Sequence, residues 1–219
     1  MMYGRLLLHA YAQVNNTIKI NTERDDIMEG VAKKTDKYFT YADYLTWPDE
    51  ERWEIIEGVP FSMSAPSDIH QKVLRELLTE FNIYLRGKTC QIFSSPFDIS
   101  LPQAQSDSDD NIYTVVQPDL VVVCDNNKIS RKGCKGAPDI VIEILSPSTA
   151  SKDCIRKREL YEKHKVKQYW IIDPEEKELF VFKLTKDFIY RNPEKYKKDD
   201  KIKVEGLEGL EIDLNLVFG

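Results

Sequence analysis

Hydrophobic and polar positions change period several times along this chain, and each change marks an element. Over residues 69–85 the apolar side chains Ile69, Val73, Leu77, Phe81 and Tyr84 recur at helical spacing. Leu74, Leu78 and Leu85 widen the stripe, Ser67 or Asp68 can cap its start, and Gly87 stops it, which predicts a core-facing helix. Residues 120–123 are wholly apolar and read as a central strand. Residues 140–145 form a further apolar run, long enough for a strand and too short for an independent helix. Ser146-Pro147-Ser148 breaks it, and helical spacing returns from about Ser151, with Asp153, Lys157 and Tyr161 four apart on one face. Residues 168–172 are apolar and aromatic again, closed by Asp173-Pro174. Strand, helix, strand in this order predicts two parallel strands with the helix crossing behind them.

Shorter signals fill in the rest. Thr40 and Asp43 have the spacing of a capping box, so a short helix runs to about Leu45 and ends at Trp47-Pro48. Residues 52–59 read as a strand reaching a turn at Glu57-Gly58, and 61–64 as its hairpin partner. Residues 90–93 and 97–101 read as a strand interrupted by Pro96, 103–111 as a polar loop, and 112–116 as a short strand. Residues 126–135 read as a loop. Residues 179–184 pair with 168–172 as a hairpin, and 188–190 add an edge strand. Residues 194–201 read as charged loop, and the apolar positions from Leu207 to Phe218 close the structure. Nothing divides residues 37–219, which read as one domain. Residues 1–36 are weakly patterned and read as an extension.

The net charge of −6 speaks against nucleic-acid binding by bulk electrostatics and leaves only a local patch for it. No window is apolar for long enough to span a bilayer, and the apolar core near Leu6 is short and interrupted by His9, which argues against a secretory signal. Cys90, Cys124, Cys134 and Cys154 show no CxxC pairing and read as buried or free thiols in a reducing cytoplasm.

An ionised carboxylate within a buried strand is costly unless it is paired or bound to a metal, and Glu143 lies in such a strand. Alternation puts Asp139, Val141, Glu143 and Leu145 on one face. Asp119 opens the neighbouring apolar strand, and Lys157 sits on the following helix within reach of the sheet. Carboxylates from two strands can hold a hard cation such as Mg²⁺, with a lysine beside them to offset charge. Asp107, Asp109 and Asp110 invite a metal reading too, but they lack the glycine and terminal glutamate of a calcium loop, and a solvated loop tip fits them better.

The ordered set Pro138-Asp139 through Glu143, Ser146-Pro147-Ser148, Asp153, Lys157, Tyr161, Val166, Tyr169-Trp170 and Asp173-Pro174 resembles the Uma2-type (DUF820) family of the PD-(D/E)XK nuclease-like superfamily, whose PD motif Pro118-Asp119 matches. The resemblance covers about residues 38–218. It implies a restriction-endonuclease-like core: an α/β fold with a central mixed sheet flanked by helices, an additional N-terminal hairpin and C-terminal strands. It also implies a Mg²⁺- or Mn²⁺-dependent endonuclease acting on phosphodiesters, with DNA as the expected substrate; a homodimer is a fitting assembly because two-fold oligomers are the commonest and a duplex has two strands. By that likeness Asp119 and Glu143 are the metal-binding acids, the carbonyl of Ile144 adds a ligand, and Glu54 assists. Glu57 competes with Glu54 but would point to the other side of the strand. His70 and Gln71 match a His-Gln pair of the family.

The E-x-K lysine is replaced here by Leu145, and in the family it is moved to the helix, matching Lys157. Lys165 stands where the family usually has glycine. Lys152 and Arg156 belong to a basic stripe, with Lys157, Arg158, Lys163, Lys165 and Lys167, that could contact phosphates; Glu159 and Glu162 interrupt it, so a solvated helix face is an equal reading. Tyr161 and Trp170 read as core, with Tyr161 also near the site. Glu143 paired with Lys157 as a structural ion pair is the rival to metal binding. The alternative to an enzyme is an inactive nuclease-fold module that binds nucleic acid or protein. A glycosidase built on two carboxylates finds no supporting sugar cleft.

Overall fold

The computed structural model describes residues 37–48, 50–146 and 152–219, with the backbone alone for 152–155. The extension read at 1–36 lies outside the described residues. Helix α1 (Tyr41–Tyr44) opens on Thr40, whose hydroxyl accepts from the Asp43 N–H while the Asp43 carboxylate takes the Thr40 N–H, the capping box that the sequence predicts. Strands β1 (Trp53–Ile56) and β2 (Val59–Ser62) form a hairpin across Glu57-Gly58. Ser67 caps helix α2 (Asp68–Leu85) through the His70 N–H.

Strands β3 (Gln91–Ser94), β4 (Ile99–Ser100), β5 (Val115–Val116) and β6 (Leu120–Val123) follow. Next come β7 (Ile129–Ser130), β8 (Gly133–Lys135) and β9 (Ile140–Ile144). Helix α3 (Lys152–Lys163) leads into β10 (Gln168–Asp173), β11 (Glu178–Lys183) and β12 (Glu194–Lys197). The chain ends in β13 (Lys201–Lys203), β14 (Glu211–Asp213) and helix α4 (Leu214–Phe218).

A central sheet runs β12-β11-β10-β9-β6-β3, and a second sheet runs β2-β1-β5-β4-β8-β7. In the central sheet β9 and β10 are parallel, as the crossover through α3 requires, and the remaining pairs are antiparallel. Alternation divides its side chains between two cores. Leu120, Val122, Ile140, Ile142, Ile144 and Trp170 face Val73, Leu77 and Phe81 of α2. Val121, Val123, Val141, Leu145, Tyr169 and Ile171 face α3 and the second sheet, through Tyr161, Ile56, Ile99 and Val116. Each of these side chains contributes about 1.5–3 kcal/mol by leaving water. Glu143 shares the parity of Val141, so its strand aims it into the layer between the central sheet and α3.

Several expectations are corrected. The expected N-terminal hairpin does form, as one edge of the second six-stranded sheet, and the differences lie elsewhere. Residues 97–101 do not continue the strand before Pro96; they cross to the second sheet as β4. The loop read at 126–135 holds the β7–β8 hairpin, whose strands are too short to show a period. The edge strand is β12 and not 188–190, where Tyr190 makes only an isolated bridge to Leu184. β12 reads as polar because an edge strand needs little apolar surface. The terminal apolar residues finish as helix α4, seated against α2.

Cys90 and Cys124 form a disulfide, against the reading of free thiols. They extend the β3–β6 ladder one step beyond Gln91↔Val123, so strand pairing brings together two residues that sequence spacing does not relate. The pair removes the cysteine argument for a reducing compartment; Cys134 is free and buried. Among the described residues no helix is long and apolar enough to cross a membrane. Lys165 takes a φ of 62°, a left-handed conformation that glycine adopts more easily than lysine, so the lysine sits there at a backbone cost.

Gly133 lies where the two strands of the β7–β8 hairpin meet the chain before β4. Its φ is 124°, and a Cβ there would lie 2.2 Å from the Asp98 carbonyl oxygen. The same carbonyl accepts the Cys134 N–H, so moving away breaks a hydrogen bond. Gly133→Ala is expected to cost at least about 2 kcal/mol, which is a fall in melting temperature of roughly 4–8 °C for a chain of this size. Gly87→Ala has nothing within 4 Å of its Cβ and serves as the control for backbone cost alone. Equal losses in the two variants would refute the steric argument.

Candidate nuclease site

Continuing the β6–β9 register one step beyond Leu120↔Ile142 sets Asp119 opposite Glu143. β1 of the second sheet brings Glu54 to the same place, and α3 lays Lys157 and Tyr161 over it, one helical turn apart. Lys157 Nζ donates to Glu54 Oε1 at 2.9 Å and to Glu143 Oε1 at 2.9 Å. The Tyr161 hydroxyl donates to the same Glu143 oxygen at 2.9 Å. The Gln117 backbone N–H donates to Glu54 Oε1 at 2.9 Å. Asp119 Oδ2 accepts the Ile144 N–H at 2.8 Å and faces His70 Nε2 at 3.1 Å. Facing a carboxylate oxygen, Nε2 is the ring nitrogen that donates. The side chains of Lys157, Glu54, Glu143 and Asp119 are all 16% exposed or less, so water screens these charges weakly.

Two carboxylates here share one ammonium, and the charge of Asp119 acts on one of them, Glu143. Burial pushes the Glu143 carboxyl up to about 7, Lys157 pulls against that, and the charges of Glu54 and Asp119 add to the rise. Burial works to strip the proton from Lys157, but the Glu143 and Glu54 carboxylates outweigh it and hold its pKa above the ordinary lysine value. Lys157 is therefore a fixed cation at neutral pH and not a base. Burial and then the Glu143 charge raise the Tyr161 phenol well above its usual range, so it acts as a donor.

The sign of the resulting pH dependence follows directly. A carboxyl raised on folding favours the folded state below its unfolded value of 4.5 and loses that contribution as pH rises to about 7. The metal-free protein is expected to lose of order 2–3 kcal/mol over that window. Urea unfolding from pH 4.5 to 8 with a chelator present measures it, and Glu143→Gln should flatten the curve relative to wild type. An unchanged slope in the variant would assign the titration elsewhere.

Asp119 Oδ1 and Glu143 Oε2 accept no hydrogen bond from the described residues. Among those residues no three His, Cys, Asp or Glu side chains enclose a metal ion by themselves. Two opposed carboxylates whose second oxygens accept from no described residue, with surplus negative charge and an adjacent strand carbonyl, have the chemistry of a site for a hard divalent cation that keeps several of its waters.

Of the residues picked from the sequence, Glu54, Asp119, Glu143, Lys157, His70 and Tyr161 come together. Ile144 joins them through its N–H. Gln71 and Arg156 are exposed, Arg156 lying over the Phe61 ring, and the side chain of Lys152 lies outside the described residues. Glu57 turns away to Lys163 at 2.9 Å. A cleft of about 420 Å³ lies beside that pair and contains none of the clustered acids. The basic stripe is locally engaged, with Lys167 on Asp139 and Arg158 on Glu162. Sequence reading missed Gln117, Asp98, Tyr44 and Arg52, a polar cluster behind Glu54 with no period or motif to mark it.

A mixed central sheet flanked by helices, with acids meeting at the ends of antiparallel strands, defines an α+β protein of nuclease-like fold. Residues 41–215 match the Uma2 family, described as "Putative restriction endonuclease", and the chain belongs to that family. A solved structure described as "a putative nuclease belonging to DUF820 from Anabaena variabilis ATCC 29413" shares the fold, with a TM-score of 0.65 and 21% identity over 82% of this chain and 97% of that one. The "Uncharacterized protein slr1290" of Synechocystis sp. is 30% identical over 132 residues, 59% of this chain. That match spans 65% of the relative, less than two thirds of its length.

Proposed function

We propose that this chain is a metal-dependent endonuclease that hydrolyses phosphodiester bonds in DNA. The observation that carries the reading is the meeting of Glu54 and Glu143 on Lys157 with Asp119 opposite Glu143, where Asp119 Oδ1 and Glu143 Oε2 accept no hydrogen bond from the described residues. Asp119, Glu143 and the Ile144 carbonyl are the groups that would hold Mg²⁺ or Mn²⁺. When bound, the cation supplies an activated water and Lewis acidity toward the phosphate.

The chain's own residues do the rest. Tyr161 and Lys157 fix the Glu143 carboxylate, and His70 and the Ile144 N–H fix Asp119, so each presents one defined oxygen. Lys157, permanently charged, offsets negative charge gathering on the phosphate and takes the part of the lysine absent at 145. Glu54 keeps one oxygen pinned and the other available to orient water. Gln71 and Arg156 are exposed on the helices that carry His70 and Lys157 and would meet flanking phosphates, and Lys152 is proposed with them from the sequence alone. A pair of copies would address both strands of a duplex.

The second reading, an inactive module, draws on the same geometry. Lys157 already bridges two glutamates, which suffices for a structural ion pair. Cleavage of supercoiled DNA, single-stranded DNA and RNA with Mg²⁺ or Mn²⁺ separates the two, alongside calorimetric titration of each metal and sedimentation of the protein. Metal-dependent cutting of DNA is expected. A wild-type protein that neither cuts nor binds metal would leave the inactive module.

A further inference from the structure

The chain passes between the two sheets twice at one seam. β3 leaves the central sheet through Ser95-Pro96 and enters the second as β4; β5 leaves the second through Gln117-Pro118 and enters the central one as β6. The two crossings touch, since the Ser95 N–H donates to the Asp119 carbonyl at 3.1 Å. Gln117 joins them with its side chain. Its Nε2 donates to Asp98 Oδ1 at 2.8 Å and to the Tyr44 hydroxyl at 2.9 Å. The Tyr44 hydroxyl in turn donates to Asp98 Oδ1 at 3.1 Å. Gln117 Oε1 accepts from Arg52 Nε at 3.0 Å. The amide is 6% exposed and has every polar atom engaged. It lies between a cation and an anion, so its dipole is aligned at both ends.

The backbone N–H of this same residue holds Glu54 Oε1. Asp119 and Glu143 both belong to the central sheet and are set opposite each other by its ladder. Glu54 alone comes from the second sheet. Its place relative to the other two acids therefore depends on how the sheets are joined at this seam, together with the Lys157 bridge to Glu143.

We propose that Gln117 is a positioning residue: clamped by Asp98, Tyr44 and Arg52, it fixes Glu54 against the Asp119–Glu143 pair. The inference rests on the nuclease reading above for its kinetic consequence, but not for its structural one. Because both metal-holding carboxylates lie on the central sheet, loosening the clamp misplaces Glu54 and leaves cation binding intact. A structural latch of general importance would instead weaken everything together.

The test uses the full chain with Asp98→Ala, which removes the clamp and keeps the Gln117 amide as a reporter. Its amide proton, hydrogen-bonded to a carboxylate in wild type, is expected to move upfield in the ¹H–¹⁵N spectrum. kcat is expected to fall about 100-fold with KM unchanged, and Mn²⁺ affinity to stay at the wild-type value. Gln117→Glu alone sets two carboxylates against each other and should behave likewise.

The pair Asp98→Asn with Gln117→Glu restores a donor facing an acceptor and gives Arg52 a carboxylate, so amide shift and kcat should return together. Tyr44→Phe removes one hydroxyl, keeps the packing, and gives the same changes in smaller measure. An unmoved Gln117 amide in folded Asp98→Ala and Tyr44→Phe overturns the proposal. So does a kcat loss matched by lost Mn²⁺ affinity. A wild type that does not cut sinks the nuclease reading instead, while the amide shift still decides whether the clamp places Glu54.

Discussion

Lys157→Ala is expected to destabilise the fold by about 3–5 kcal/mol, the cost of leaving buried charges without their partner. Lys157 is the common partner of Glu54 and Glu143, and all three side chains are buried. Removing it leaves three carboxylates, with Asp119, in a layer with little water to spread their charge. The melting temperature should fall by roughly 6–20 °C. Lys157→Met should do nearly as badly despite its apolar fit, because the stranded carboxylates set the cost. Adding Glu143→Gln to Lys157→Met removes one of those charges and should recover part of the loss. Urea unfolding at pH 7 measures each step. A loss below about 1 kcal/mol, the range of solvent-exposed pairs, would mean that water reaches the cluster and that Lys157 does not hold it together.

Asp119→Asn and Glu143→Gln are expected to lower metal-dependent cleavage by about 1,000-fold or more, the rate equivalent of several kcal/mol of lost charge stabilisation. Both changes keep the side-chain shape, so loss of activity with the fold retained points to charge and ligation. Glu143→Gln also relieves the crowding that pushes this carboxyl up to about 7, so that variant should be as stable as wild type or more so at pH 8. Tyr161→Phe gives a graded result, since it removes only one of the two donors on Glu143 Oε1 and leaves Lys157 in place. Mn²⁺ affinity should weaken about 10–100-fold, as for other groups that orient a ligand. Calorimetry on the same samples reads it. Activity that survives both acid substitutions would place the chemistry elsewhere.

The two apolar strands, the α2 stripe and the strand–helix–strand unit were legible because burial on one face imposes a period that sequence preserves. Asp119, Glu143 and Lys157 were legible for a related reason: charge inside such a pattern needs a partner. What sequence hid is what depends on tertiary register. β7, β8 and β12 are short or wet on both faces and carry no period. The Cys90–Cys124 pair follows from strand pairing across a sequence separation of 34. Gln117 looks like any polar residue before a proline, and only the contact of two crossings shows what it joins. Tyr161 read as core and is core, yet its hydroxyl is spent on Glu143.

The Lys157–Glu54 contact closes a sequence separation of 103 residues, and Lys157 arrives on the helix before β10. During synthesis from the N-terminus, the strands carrying Glu54, Asp119 and Glu143 are all made before the lysine that holds two of them together. Until α3 has left the ribosome and packed back, β6–β9 pairing can set Asp119 opposite Glu143, but Glu54 has no cation to hold it against them. A chain cut short before residue 157 therefore carries all three carboxylates without the ammonium that bridges Glu54 to Glu143.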